Sequence, residues 1–162
     1  MGRNILRASV STAVLAAAVA VPAGTALAST GASAPDAAAV APSTVAGDSA
    51  GQTALRNALT QQGKPYQWGA AGPDAYDCSG LVQWAFQQAG VELPHNSRAQ
   101  STLGTPVSQA QLQPGDLVFF YEPVSHVGIY TGDGNVVHAS TSGQPVKISP
   151  ISSMPYHHAS RI

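Results

Sequence analysis

After residue 50, apolar residues first recur with the spacing of helices. Ala54–Gln62 carries an apolar stripe and predicts a short helix. A second helix is predicted to begin at Asp77 and to end before Gly90, since glycine commonly follows a helix end. Ser97–Leu103 fits a third, shorter helix. The apolar residues that define one face of the second helix are Leu81, Val82, Ala85, Phe86 and Ala89.

Beyond Pro114 the apolar spacing changes to alternation, which is typical of strands. Glycine, proline and aspartate separate the alternating segments and mark turns. Helices followed by an antiparallel sheet indicate an α+β domain. The five predicted strands are Leu117–Tyr121, His126–Tyr130, Val136–Ser140, Val146–Ile148 and Ala159–Ile162.

The first 28 residues have the pattern of a secretory signal peptide. Arg3 and Arg7 precede a 12-residue apolar run, Val10–Val21, and small residues at 26–28 provide a cleavage site. The run is shorter than the about 20 residues that a membrane-spanning helix needs. We therefore expect cleavage after Ala28, export from the cell and no membrane anchor.

Residues 29–50 differ in composition from the rest of the chain. Of these 22 residues, 18 are Ala, Ser, Thr, Pro or Gly, so the segment cannot bury enough apolar surface to offset the entropy lost on ordering. We interpret it as a flexible linker. All ten aromatic residues lie between Tyr66 and Tyr156, which places the one folded domain at residues 51–162.

The charge and cysteine content exclude several classes of protein. Charged residues make up only 9% of the chain and the formal net charge is −1, so no basic surface indicates a nucleic-acid partner. A single cysteine excludes a disulfide framework.

That cysteine, Cys78, falls at the predicted start of the second helix. The helix dipole and the free N–H groups there favour a thiolate and can stabilise an oxyanion, whereas the charge of Asp77 raises the thiol pKa. A buried structural cysteine and an intermolecular disulfide are the alternative interpretations. A free thiol in an exported protein favours a chemical use.

Two histidines flank a predicted hairpin and are candidates for the general base and for the residue that orients it. A three-residue turn at 131–133 would place His126 directly opposite His138, on one side of the sheet. A two-residue turn would split the pair between the two faces. The apolar pattern favours the first register, because Val127, Ile129, Val137 and Ala139 then share the buried face, with Val127 opposite Val137 and Ile129 opposite Asn135.

The histidines also allow a metal site and a surface role. Cys78, His126 and His138 are in principle a three-ligand zinc set, but no closely spaced ligand pair supports it, and we expect no metal and no cofactor. His157 and His158 are adjacent on a predicted strand and should point to opposite faces, so we interpret them as surface residues.

Six short motifs follow one another along residues 52–162. They are Pro65-Tyr66-Gln67-Trp68-Gly69, Tyr76-Asp77-Cys78-Ser79-Gly80-Leu81-Val82, Leu93-Pro94-His95-Asn96-Ser97-Arg98-Ala99-Gln100, Pro114-Gly115-Asp116-Leu117-Val118-Phe119-Phe120, Ser125-His126-Val127-Gly128-Ile129-Tyr130 and Val136-Val137-His138-Ala139-Ser140. No single motif would suffice, but in this order they make the chain resemble the NlpC/P60 family of cell-wall cysteine peptidases.

The resemblance implies a papain-like fold, with N-terminal helices packed on a small antiparallel β-sheet. It also implies Cys78 as nucleophile, His126 as general base and His138 as the residue that orients the base. Tyr66 would help to hold the oxyanion. The remaining two motif residues, Asp77 and Ser79, would contact substrate or cap the helix, and for Asp77 we favour the cap.

The substrate that the resemblance implies is the stem peptide of peptidoglycan, cut between γ-D-glutamate and a diamino acid such as diaminopimelate. We accordingly expect a secreted, cell-wall-associated monomer. One departure concerns His95, which stands where members of the family often have arginine after Leu-Pro. This leaves open how that loop packs or contacts substrate.

Two alternative functions on the same fold stay open. One is a wall-binding module without catalysis, against which the intact cysteine and histidine set argues. The other is an amidase or acyltransferase, because the same thioester forms from other amides and esters.

Overall fold

A computed structural model describes residues 49–162 of the chain. The predicted signal peptide at 1–28 and most of the predicted linker lie outside the described residues. Among the helices of residues 49–162, none combines the length and the apolarity that crossing a bilayer requires.

Within residues 49–162, three α-helices precede the sheet: α1 (Ala50–Leu59), α2 (Cys78–Gln87) and α3 (Ser97–Gln100). Helix α1 begins four residues before the predicted start, because the Ser49 hydroxyl caps it by accepting from the backbone N–H of Gln52. Helix α2 begins at the predicted position. The third helix is confirmed but is limited to a single turn.

In the part of the chain that the structure describes, six antiparallel strands form one sheet in the order β1-β6-β2-β3-β4-β5. All five predicted strands are present, with ends shifted by a few residues. The strand that the sequence did not predict is β1, a three-residue edge strand with proline at its centre, which is where a sheet tolerates proline. The strands are β1 (Thr105–Val107), β2 (Leu117–Phe120), β3 (His126–Gly132), β4 (Asn135–His138), β5 (Lys147–Pro150) and β6 (Tyr156–Arg161).

The sheet separates two apolar clusters. On one face α1 and α2 pack together and against β3, and α1 also contacts β4. This larger cluster contains the predicted buried residues Val127, Ile129, Val137 and Ala139. The smaller cluster, on the other face, consists of Val118, Phe120, Val136, Ile151 and Ala159.

The β3–β4 hairpin keeps the predicted faces but not the predicted register. Ile129 lies opposite Val137, whereas the prediction paired it with Asn135. The turn residues Asp133 and Gly134 both have positive φ, 51° and 77°, as the tightest hairpin turns require, and a bulge between Tyr130 and Gly132 changes the pairing by one residue. Even-numbered residues of both strands still share one face.

Strand β6 contains a second irregularity, and it makes the prediction for the adjacent histidines wrong. Phe119 pairs with His158 and Phe120 with Tyr156, so His157 is an extra, bulged residue. The two imidazoles therefore do not diverge: their Nδ1 atoms are 2.6 Å apart. His157 is exposed as predicted, but His158 is half-buried and stacks on Phe119.

A buried carboxylate ties the end of β6 to the start of β2. Asp116 is 2% exposed, and its two oxygens accept from Nε and Nη2 of Arg161 at 2.7 and 2.8 Å. One of these oxygens also accepts from the backbone N–H of Gln113 at 2.8 Å. The planar guanidinium suits this two-point contact.

We predict that Asp116→Asn lowers the free energy of unfolding by about 1–3 kcal/mol, because the charge-assisted bonds to Arg161 are lost in a buried site. Chemical denaturation monitored by circular dichroism would measure this. Asp133→Asn is the matched control, since asparagine tolerates positive φ in the exposed turn and should change stability by less than about 0.5 kcal/mol. Equal effects of the two substitutions would contradict the prediction.

Candidate active site

The carboxylate of Asp77 caps helix α2 and so places Cys78 in its first turn. Oδ1 accepts from the backbone N–H of Gly80 at 2.7 Å and from the Ser79 hydroxyl at 3.2 Å. Oδ2 accepts from the backbone N–H of Gly69 at 2.8 Å. Because Asp77 and Ser79 direct these bonds into the protein, their contacts support capping for both residues.

His95 completes the surroundings of this cap. Its Nε2 lies 2.8 Å from Oδ1 of Asp77, so the imidazole donates to the carboxylate. Gly80 makes this packing possible, because a Cβ at that position would lie 2.1 Å from the carbonyl oxygen of Ala70 and 2.9 Å from Nε2 of His95. The position that departs from the family pattern is therefore packed onto the start of α2.

The loop before α2 carries Tyr66 to the same place. The backbone of this loop folds back on itself through two hydrogen bonds. The N–H of Gln67 donates to the carbonyl of Tyr76 at 3.0 Å, and the N–H of Tyr76 donates to the carbonyl of Pro65 at 3.2 Å. Burial first, and then the negative charges of Cys78 and Asp77, raise the pKa of the Tyr66 hydroxyl. Tyr66 is therefore a protonated donor at neutral pH.

The two predicted histidines meet despite the shifted register. Nε2 of His126 is 2.7 Å from Nδ1 of His138, and the rings cross at 76°. Both side chains are buried. Since Nε2 of His126 is engaged with His138, Nδ1 is the ring nitrogen that remains for the thiol.

Burial keeps both imidazoles neutral. It lowers the pKa of His126 to about 4, with a further contribution from His138. It also lowers the pKa of His138 to about 4, with a further contribution from the positive charge of Lys147. Both groups are thus in the form that accepts a proton at pH 7.

The thiol of Cys78 is also in its neutral form. Burial and the charge of Asp77 raise its pKa, while hydrogen bonds from the backbone N–H groups of Val127, Ser79 and Cys78 itself act in the opposite direction. The helix start therefore does not produce a free thiolate here, because desolvation outweighs it. The arrangement suits proton transfer from sulfur to His126 as the bond to substrate forms.

A cavity of about 240 Å³ brings the thiol and the general-base candidate together. A second cavity of about 210 Å³ also reaches Cys78 and includes His95. Trp68, which is 84% exposed, borders both cavities. The first cavity is lined by Tyr66, Trp68, Cys78, Tyr121, Ser125, His126, Ser140 and Met154.

Other parts of the described chain offer less chemistry. A larger cavity of about 600 Å³ beside β1 and the end of β6 contains no cysteine, histidine or carboxylate. Within residues 49–162, no three His, Cys, Asp or Glu side chains converge as metal ligands. In the described part of the chain, the cleft around Cys78 is the one that combines a thiol with a histidine.

The sequence identifies neither Ser149 nor Tyr121 as part of the site, and it assigns no contact to His95. Ser149 on β5 lies 3.0 Å from Nε2 of His138, Tyr121 lines the same cavity as Cys78 with φ of +70°, and His95 donates to the cap. For Tyr121 the only signal was its place at the end of a predicted strand. For Ser149 and His95 the contacts depend on how distant segments pack.

Curated relatives match about two thirds of the chain. A protein of Mycobacterium tuberculosis named a probable endopeptidase is 56% identical over 108 residues, which are 66% of this chain and 28% of that protein. A probable endopeptidase of Corynebacterium glutamicum is 49% identical over 113 residues, 70% of this chain and 54% of that protein. The chain thus spans between about a quarter and a half of their length.

A bifunctional muramidase and DL-endopeptidase of Bacillus subtilis, CwlT, is 42% identical over 98 residues, covering 57% of this chain and 30% of that protein. Its name joins two activities in one protein. The aligned segment is therefore less than a third of a longer enzyme.

Solved structures agree with the fold. NlpC1 from Trichomonas vaginalis superposes with a TM-score of 0.66 at 32% identity, covering 72% of this chain and 45% of that chain. The NlpC/p60 domain of the peptidoglycan hydrolase SagA superposes with a TM-score of 0.65 at 30% identity, covering 69% of this chain and 98% of that chain. These matches confirm the predicted α+β, papain-like fold.

The sequence model of the NlpC/P60 family matches residues 63–161, from the end of α1 to the end of β6. The match includes the cap, the thiol and both histidines of the cleft. On this evidence the chain belongs to the NlpC/P60 family.

Proposed function

We propose that this protein is a secreted cysteine endopeptidase that hydrolyses the stem peptides of peptidoglycan. The observation that carries the proposal is that Cys78 and His126 line one cavity while a 2.7 Å hydrogen bond joins His126 to His138. The names of relatives support the reaction class, since they include endopeptidases and a peptidoglycan hydrolase.

The bond to be cut is the one between γ-D-glutamate and the diamino acid. Resemblance to the family supports this choice, and so does the DL-endopeptidase activity in the name of CwlT. The substrate lies outside the cell, which agrees with the signal peptide proposed for residues 1–28. We propose that the enzyme acts at the cell wall and without a membrane anchor.

In the proposed mechanism the proton of Cys78 passes to Nδ1 of His126 as sulfur attacks the scissile carbonyl. The carbonyl oxygen becomes an oxyanion, which the backbone N–H groups at the start of α2 and the hydroxyl of Tyr66 stabilise. Collapse breaks the C–N bond, and the leaving amine takes the proton from His126.

Water then attacks the thioester and gives a proton to His126. Collapse of this second intermediate breaks the C–S bond, and the proton returns to the sulfur of Cys78. The products are an amine, a carboxylic acid and the original enzyme. Throughout, His138 stays neutral and accepts from Nε2 of His126.

The first test is mass spectrometry of purified peptidoglycan peptides after incubation with the protein. Cys78→Ala should lower the rate at least about 1,000-fold, because no other group of the site replaces the nucleophile. Cys78→Ser is the matched variant, and it should stay far below wild type while keeping the shape of the site. New fragments should separate D-glutamate from the diamino acid.

Cleavage at a different amide would retain the thioester chemistry and change the substrate. The protein could instead sediment with peptidoglycan of several chemotypes and cut none of them. That result would contradict the proposed endopeptidase activity and favour the wall-binding module. A rate that Cys78→Ala leaves unchanged would contradict the assigned nucleophile.

A second prediction concerns pH. Because burial lowers the pKa of His126 to about 4, the neutral base persists well below the ordinary histidine value of about 6.5. The acidic limb of kcat/KM should therefore lie near pH 4, and the alkaline limb above the ordinary thiol range, since the pKa of Cys78 is raised. If a stopped assay placed the acidic limb of kcat/KM at pH 6–7, the lowered pKa of His126 as the general base would be contradicted.

A third prediction concerns Tyr66. Tyr66→Phe removes the hydroxyl and keeps the ring, so kcat should fall about 10–100-fold with little change in KM if the hydroxyl donates to the oxyanion. Steady-state kinetics on a defined stem peptide would measure both constants. A change confined to KM would instead indicate that Tyr66 only holds the ground-state substrate.

A further inference from the structure

Strand β5 extends the hydrogen-bond chain that begins at His126. His138 pairs with Lys147 across the β4–β5 ladder, and Val136 pairs with Ser149. Lys147 and Ser149 therefore lie on the same face of the sheet as His138. Nε2 of His138 is 3.0 Å from Oγ of Ser149, while its Nδ1 is 2.7 Å from Nε2 of His126.

Only two proton arrangements satisfy this chain when both rings are neutral. In the first, Ser149 accepts from Nε2–H of His138, whose Nδ1 accepts from Nε2–H of His126. Nδ1 of His126 then has a lone pair for the thiol proton. In the second, Ser149 donates to Nε2 of His138, and Nδ1–H of His138 donates to Nε2 of His126. The hydrogen of neutral His126 then lies on Nδ1, which has no lone pair for the thiol proton.

Only the first arrangement permits His126 to act as a base. When Nδ1 of His126 takes up the thiol proton, both of its nitrogens donate, so Nδ1 of His138 must accept. Neutral His138 then carries its hydrogen on Nε2, and this N–H needs an acceptor in a buried setting. The hydroxyl of Ser149 is in position to accept it.

We propose that Ser149 is a positioning residue: by accepting from Nε2–H of His138 it stabilises the tautomer that leaves Nδ1 of His126 free to receive the proton of Cys78. The inference rests on the proposed function for its effect on turnover. Its effect on the tautomers is independent of any substrate.

The surroundings of His138 support this role. Lys147, opposite His138 on β5, contributes with burial to a lowered pKa of that imidazole, which disfavours a second proton on it. The Lys147 ammonium donates to the side chain of Gln144 at 3.2 Å. A neutral His138 is therefore oriented by the hydroxyl of Ser149, without a carboxylate.

The test compares Ser149→Ala with Ser149→Thr, which keeps a hydroxyl on a strand-compatible residue. Ser153→Ala is the matched control, because it removes a serine hydroxyl that donates to the carbonyl of Pro150 at 2.6 Å without contacting His138. Histidine labelled with ¹⁵N in the full-length protein reports which ring nitrogens carry hydrogen. Signals are assigned by substituting each histidine in turn.

In the wild-type protein we expect hydrogen on Nε2 of both His126 and His138. Ser149→Ala should mix the two tautomers and lower kcat about tenfold with KM unchanged, since a buried N–H loses its acceptor. Alkylation of Cys78 by iodoacetamide should slow to a similar extent. Ser149→Thr and Ser153→Ala should match the wild type in all three measurements.

Hydrogen on Nδ1 of His138 in the wild type would overturn the inference, even if Ser149→Ala failed to fold. Unchanged tautomers and kcat in a folded Ser149→Ala protein would also overturn it. If the wild type showed the expected tautomers but cut no stem peptide, the proposed function would fail and the positioning role would stand on the spectra and the alkylation rate.

Discussion

The carboxylate of Asp77 is the contact on which the geometry of the cleft depends. It joins three segments that are separate in sequence: the start of α2, the loop at Gly69 and the segment that carries His95. Each of these segments contributes a wall of the cleft around the thiol. A carboxylate with four donors around it is costly to replace, since removing it leaves several buried groups without partners.

The sheet provides the second half of the proposed catalytic arrangement, because neighbouring strands place their histidines and serine on the same face. His126 on β3, His138 on β4 and Ser149 on β5 follow one another across the sheet. Pleating places all three on one side, so the contact survives a shift of two residues in pairing. Their burial keeps the imidazoles neutral, which is the state that a base requires.

Much of this arrangement could be predicted from the sequence because local signals determine it. The cap, the start of α2 and the buried face of the hairpin follow from Asp77, from helical periodicity and from alternation. The exact register did not, because it depends on positive φ at Asp133 and Gly134 together with a bulge. Ser149 and His95 could not be assigned, since their partners are 11 and 18 residues away and meet them only in the folded chain.

The negative charge beside the thiol has a consequence for chemical durability. Oxidants react with thiolates far faster than with thiols, and a sulfur that passes beyond sulfenic acid is lost to catalysis. Burial, and to a smaller extent the charge of Asp77, raises the pKa of the Cys78 thiol and so favours the protonated sulfur. The carboxylate that caps α2 therefore also lowers the reactivity of the neighbouring thiol toward peroxide and toward disulfide formation.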